Sequence, residues 1–265
     1  MPEGPEVRVQ SEVLNNEFEG WILINAIVTN ASRYAKGGLN IGPFPMTLRS
    51  VKPYGKRIIM DFGETFLFVF LGMEGHFLFS PGKHAGVVFT FRHPRMNCQK
   101  HIFYHDSRHF GTIAQYNRNQ LLLEQAKIGP DLLNQDVSVD QMIAGLMRGA
   151  KQPICEALVE QSYVSGIGNY ARSEIMYLAK VHPLMLVGHL DKTAFERLHQ
   201  CAISVLKESY AANGLTIATY VDPYGHKGLY QPKVYRRTTT DLGEVVQRIP
   251  LKSSVYWVPA MFINP

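Results

Sequence analysis

The spacing of apolar and polar positions changes twice along the chain. Pro5 to about Phe18 reads as a short helix that ends before Gly20. From Trp21 to about Tyr116 the texture becomes β-rich. Arg57-Ile-Ile-Met-Asp-Phe62, Phe66-Leu-Phe-Val-Phe70 and Val87-Val-Phe-Thr-Phe91 are short, aromatic or β-branched runs separated by Gly, Pro and Asn. Such strands at short spacing predict a sandwich or barrel. A polar stretch over 117–136, holding Gly129-Pro130-Asp131, reads as a connection. Helical spacing then dominates through about Ala212. Between Lys192 and Tyr210, Phe195, Leu198, Ile203, Val205 and Leu206 recur with charge between them. From Gly214 onward the pattern returns to turns and strands. No internal repeat and no low-complexity tract breaks this order.

The 265 residues can bury a sizeable core in one large domain or two small ones. Apolar residues make up 46% and charged residues 18%, which fits a soluble globular chain. The net charge of +5 is a mild pointer to a polyanionic partner. Cys98, Cys155 and Cys201 are scattered and odd in number, so free thiols in a reducing compartment are expected and a four-cysteine zinc site is excluded. No apolar run reaches membrane-spanning length, and the start lacks a signal-peptide pattern. An intracellular protein, nuclear or cytoplasmic, follows as the expectation.

The densest chemistry is at the start, Met1-Pro-Glu-Gly-Pro-Glu6. Removal of Met1 would leave Pro2 as a free secondary amine beside the Glu3 carboxylate. An α-amino group titrates near pH ~7.7–8.0, so a useful fraction is nucleophilic at neutral pH. Its attack on a sugar or aldehyde carbon gives an iminium, the Schiff-base form of covalent catalysis. Pro5 and Glu6 also suit an ordinary helix start. Ser165-Gly166-Ile167-Gly168-Asn169 joins two helical segments with no strand before it, as a tight turn or a phosphate clamp. Lys56 opens an apolar strand, where a solvated lysine and one poised for phosphate or proton transfer both fit. Met73, in Leu71-Gly-Met-Glu-Gly75, and Arg108 and Phe110, in His105-Asp-Ser-Arg-His-Phe-Gly111, lie on glycine-flanked turns. Together such side chains could fill the space left by an extruded base. Residues 227–252 hold six Lys/Arg against two acids, with Tyr230 and Tyr235 among them. A charged hairpin face and a nucleic-acid contact both fit.

Taken in order, Pro2-Glu-Gly-Pro-Glu6, Gly55-Lys56, Leu71-Gly-Met73-x-Gly75, Asp106-x-Arg108-x-Phe110-Gly111, Gly129-Pro-Asp131 and Gly166-Ile-Gly-Asn169 make the chain resemble the formamidopyrimidine-DNA glycosylase/endonuclease VIII family nearly end to end. The resemblance implies an α+β fold. An N-terminal helix and β-sandwich domain (1–116) precede a linker (117–136), a helix-two-turn-helix domain (137–225) and a C-terminal finger hairpin (226–265). It implies damaged double-stranded DNA held between the two main domains, and a monomeric glycosylase and AP lyase. Pro2 is expected as nucleophile on C1′ and Glu3 as general acid, with Glu6 and Lys56 supporting proton transfer and phosphate binding. Met73, Arg108 and Phe110 match the family's wedge. Gly166, Gly168 and Asn169 match its phosphate clamp, aided by Tyr235.

The chain departs from the family pattern at the finger. The family usually ends in a four-cysteine zinc finger. Here Val258 and Met261 fall where the last two cysteines would be, so a zincless finger with no metal and no cofactor is expected. The family's finger arginine aligns with Ser253, with Arg248 or Lys252 as substitutes. Cys155 replaces a customary lysine, and Gly86 stands where many members have histidine. A non-catalytic damage-binding protein on the same scaffold would be marked by loss of Pro2, Glu3 or Lys56, and all three are present. A sequence-specific regulator would need a base-reading helix, and Tyr170-Ala-Arg-Ser-Glu-Ile-Met176 reads as clamp and core. The preferred lesion is not legible.

Overall fold

A computed structural model describes residues 1–216, 220–251 and 253–262. The chain divides into two compact units: 1–126 with 213–229, and 127–212 with 230–265.

In the first unit, α1 (Gly4–Phe18) buries Val7, Leu14 and Phe18. Gly20, at φ 79°, lets the chain turn away from the helix, and its N–H donates to the Leu48 carbonyl at 2.8 Å. Nine strands follow: β1 (Ile22–Val28), β2 (Met46–Thr47), β3 (Ser50–Tyr54), β4 (Arg57–Asp61), β5 (Thr65–Phe70), β6 (His76–Leu78), β7 (Ala85–Arg92), β8 (Gln99–His105) and β9 (Thr112–Asn117). They form two antiparallel sheets, ordered β2-β1-β7-β8-β6 and β3-β4-β5-β9. Leu23, Phe89 and Ile102 of the first sheet share one core with Ile58, Leu67 and Val69 of the second and with the α1 stripe. That is a sandwich with a helix laid into it. Burying each such side chain contributes about 1.5–3 kcal/mol before entropy is counted.

The central strands β4 and β5 are buried on both faces. Ile59 and Phe68, paired in register, point away from the shared core and need a second cover. α2 (Arg118–Gln125) supplies it by packing on β5 and β9. The 117–136 stretch is therefore not a plain linker, because its first part is a helix of the sandwich unit. Residues 213–225 also differ from the expected boundary. They return to the sandwich unit, where the Gln10 side chain donates to the Val221 carbonyl at 2.8 Å and the Phe79 N–H to the Pro223 carbonyl at 3.0 Å.

The second unit holds α3 (Val139–Leu146), α4 (Ile154–Ala157), α5 (Asn169–Ala179), α6 (Lys192–Ala211), and the hairpin strands β10 (Gln247–Ile249) and β11 (Val255–Trp257). Asp191 caps α6 by accepting the Ala194 N–H at 2.7 Å. Of the predicted stripe, Phe195, Leu198, Val205 and Leu206 are buried, while Ile203 is only half-buried. α5 packs against α6 on one side and β11 on another, so every residue from Tyr170 to Met176 is buried. Among the described residues no helix is long and apolar enough to cross a membrane.

Candidate functional site

Pro2 is buried at the mouth of α1. Glu3 is the N-cap and closes a reciprocal capping box with Glu6. The Glu3 N–H donates to Glu6 Oε2 at 2.8 Å. Glu6 Oε1 accepts the Leu215 N–H at 2.9 Å, so the 213–229 segment is tied to the same carboxylate. Gly214 allows this approach, since a Cβ there would lie 2.9 Å from Glu6 Cγ, and its φ is +93°. The Tyr220 hydroxyl donates to the Glu6 carbonyl at 3.4 Å. Burial first, then Glu6 and Asp222, hold that phenol well above its ordinary pKa, so it remains a donor. Glu3 and Glu6 are each 2% exposed. Ser, Thr, Asp and Asn are the usual N-caps, and two buried carboxylates are a costly way to start a helix.

Lys56 sits in the two-residue turn joining β3 and β4, where Tyr54 pairs with Arg57 and Gly55 adopts φ 57°. α1 packs on both strands, and Asn15 Oδ1 accepts the Val51 N–H at 2.7 Å. Lys56 is only 6% exposed. The solvated-lysine reading therefore fails. Next to it, Arg57 lies 4.0 Å over the Phe70 ring, and burial lowers its pKa.

The two wedge turns are brought together backbone to backbone. A Cβ on Gly72 would lie 2.5 Å from the Gly111 nitrogen and 2.6 Å from the Phe110 carbonyl carbon. Asp106 Oδ2 accepts the Gly111 N–H at 2.7 Å, and Arg33 Nη1 donates to the Gly111 carbonyl at 2.9 Å. Ser107 Oγ donates to Glu74 Oε2 at 2.6 Å, joining the turns again. On this platform Met73 is half-buried, Arg108 is exposed, and Phe110 is 51% exposed with Arg108 stacked 5.1 Å above its ring. An exposed phenylalanine held so firmly by its neighbours' backbone is suited to insertion.

In the second unit the Gly166–Asn169 turn is held by Gln161, which the sequence did not single out, and by Ser165 and Gly129 of the quoted motifs. Gln161 Oε1 accepts the Gly166 N–H at 3.2 Å, while its Nε2 donates to the Ile167 and Val159 carbonyls at 2.9 and 2.8 Å. Ser165 Oγ donates to the Gly129 carbonyl at 2.9 Å, and Gly129 is packed on Tyr163 with no room for a Cβ. This gives the Gly129-Pro-Asp131 motif a purpose: it fixes the turn. Gly168 is the N-cap of α5, and Asn169 is its half-buried first residue. The start of α5 at Gly168 and Asn169 points its helix dipole outward in a way that suits an anion.

At the finger, Tyr235 is half-buried, with its ring on edge to Tyr256 at 5.2 Å. Arg248 is exposed on β10. Lys252 lies outside the described residues. Ser253 is engaged: Arg172 Nη2 donates to its carbonyl at 2.5 Å and to its hydroxyl at 2.9 Å. Val258 fills a small apolar core with Val234 and Val246. Among the described residues no group of three or more His, Cys, Asp or Glu could hold a metal, and the finger's side chains do not fit zinc. Cys155 is fully buried, and burial pushes its thiol up to about 11, so it cannot stand in for a surface lysine.

Comparison with known proteins places these features in context. Residues 1–113 match the formamidopyrimidine-DNA glycosylase N-terminal domain and residues 128–221 the formamidopyrimidine-DNA glycosylase H2TH domain. The formamidopyrimidine-DNA glycosylase of Streptococcus agalactiae is 30% identical over 250 residues, covering 90% of this chain and 89% of its own. That of a Wolbachia species is 29% identical over 243 residues, covering 89% and 88%. A crystal structure of a mutant Lactococcus lactis enzyme with DNA containing Fapy-dG superposes with a TM-score of 0.84 at 26% identity, over 98% of this chain and 99% of that one. A Thermus thermophilus structure has the same fold, with a TM-score of 0.84 at 23% identity over the full length of both chains.

Proposed function

The chain belongs to the formamidopyrimidine-DNA glycosylase family, and from that membership we propose that it is a base-excision-repair glycosylase acting on oxidised bases in duplex DNA and an AP lyase with Pro2 as nucleophile. The observation that carries the proposal is the pair of buried carboxylates around Pro2, a helix start that stability alone does not favour.

Loss of Met1 frees the Pro2 amine. Its lone pair attacks C1′ of the extruded nucleotide, the base departs with the bonding pair, and the proton that the attacking nitrogen sheds neutralises the departing base. Glu3 protonates the sugar ring oxygen, the ring opens, and the nitrogen becomes a C1′ iminium. The cation acidifies the C2′ proton. Its removal forms the C1′–C2′ enamine and expels the 3′ phosphate by β-elimination. A second elimination releases the 5′ phosphate. Water then returns the aldehyde and the amine. Glu6 receives two backbone N–H bonds, which fixes Glu3 relative to the 213–229 segment. Buried Lys56 supports the phosphate and proton steps.

The wedge turns would fill the vacated stack with Phe110 and Arg108, offsetting part of the few kcal/mol that extrusion costs. The Gly166–Asn169 turn would grip a backbone phosphate. End analysis of a lesion-bearing duplex tests the reading. Base release with phosphate at both ends of a one-nucleotide gap is expected; binding without base release would overturn it. A lesion panel of 8-oxoguanine, formamidopyrimidines, hydantoins and thymine glycol then assigns the substrate.

A further inference from the structure

We propose that Arg172 and Glu174 are positioning residues that clamp the C-terminal hairpin onto α5 and thereby hold its DNA-facing side chains in place. The inference rests on the glycosylase reading above. β10 and β11 are three residues each, and a two-stranded ribbon of this size is marginal alone. Its own core is Val234, Val246 and Val258, with Tyr177 and Tyr256 packed against it. No metal-binding cluster exists among the described residues to staple it. Something else must fix both its ends.

α5 does this with consecutive side chains. At the hairpin's entry, Glu174 Oε2 accepts the Lys233 N–H at 2.7 Å, and its Oε1 accepts those of Val234 and Tyr235 at 3.0 and 2.8 Å. At the turn before β11, Arg172 Nη2 donates to the Ser253 carbonyl and hydroxyl and to the Ser254 carbonyl, while Nη1 donates to the Cys155 carbonyl at 2.8 Å. Between them, Ser173 Oγ accepts the Tyr256 N–H at 3.4 Å. Arg172 is 1% exposed and Glu174 0%. Buried ions are costly unless they are paired or hydrogen-bonded. The three Glu174 bonds and two of the Arg172 Nη2 bonds go to main-chain groups of the hairpin, so they fix backbone position. Glu174 sets Tyr235 directly, and Arg172 sets the turn where the family carries its finger arginine.

The test uses the full-length protein. In the wild type, amide exchange at Lys233, Val234 and Tyr235 should be as slow as in the α5 core; exchange as fast as in an open hairpin would overturn the clamp without any variant. Arg172→Lys keeps the charge but loses the planar fork, and Glu174→Gln keeps the shape but turns a donor toward the Lys233 N–H. Each should weaken duplex binding by about tenfold. Each should also flatten the salt dependence by about one unit of log–log slope, with KM raised and the saturating cleavage rate kept within about twofold. Unchanged affinity, or an equal fall in the saturating rate, overturns the proposal. A wild type that binds damaged duplex but releases no base overturns the glycosylase reading instead, and the exchange rates still judge the clamp.

Discussion

Gly72→Ala probes the proposed wedge without touching any residue placed in the chemistry. Gly72 has φ +68°, and an added Cβ would meet the Gly111 nitrogen at 2.5 Å and the Phe110 carbonyl carbon at 2.6 Å. Both obstacles are backbone, so neither can rotate aside. Restoring normal contact requires the turns to part by about 1 Å. The left-handed conformation adds about 1–2 kcal/mol for a residue with a Cβ. The thermal midpoint should fall by a few degrees, since a chain of this length loses about 2–4 °C per kcal/mol. The functional effect should be larger, because a misplacement of about 1 Å can cost about a hundredfold in rate. Single-turnover excision from duplex DNA should fall by about 10–100-fold. Strand cleavage at a pre-formed abasic site in single-stranded DNA, which needs no stack filling, should remain near wild type. Equal losses on both substrates would mean that the substitution acts through folding or backbone binding. No loss on either would remove the wedge from the mechanism.

Further outcomes follow from the same geometry. Arg248→Ala should lower affinity for damaged and undamaged duplex alike and flatten the salt slope by about one unit; an unchanged slope would leave the anchoring to the Gly166–Asn169 turn. His76 and His105 stack at 5.4 Å with planes 8° apart, and burial holds both below the ordinary histidine pKa. The folded state therefore binds fewer protons than the unfolded chain. The stability is full above the unfolded value of about 6.5 and is lost as pH falls through the depressed pKa values. The thermal midpoint should drop between about pH 7 and 5, and less so in a His76→Phe/His105→Phe double variant. An identical drop in both proteins would refute this assignment.

Much of the sandwich was legible because its strands are short, aromatic and punctuated, and the α1 and α6 stripes follow helical spacing. α2 was hidden because Leu122 and Leu123 are 58% and 68% exposed, which blurs its stripe. The return of residues 213–229 to the first unit depends on long-range bonds to Glu6 and Gln10, and local pattern carries no sign of those. The motifs located the catalytic candidates, the wedge turns and the glycine turn. The supporting residues escaped notice. Arg172 and Glu174 act through main-chain groups 59 to 82 residues away in sequence, and Gln161 through turn groups that its own polar side chain does not announce. Read locally, Arg172 and Glu174 look like ordinary helix charges. The only hint was their place in Tyr170–Met176, which reads as clamp and core. Ser253 shows the same limit, since its alignment marks a missing arginine but not the guanidinium that reaches it from α5.

The central claim is covalent catalysis by Pro2. Borohydride added during turnover of a lesion-bearing duplex should reduce the iminium and leave a stable protein–DNA adduct. Peptide mapping by mass spectrometry should place that adduct on the N-terminal Pro2 nitrogen, with none on a lysine. A protein whose N-terminus is blocked by a retained residue should give no adduct and no base release. Full trapping by the blocked protein, or an adduct mapped to Lys56, would contradict the account.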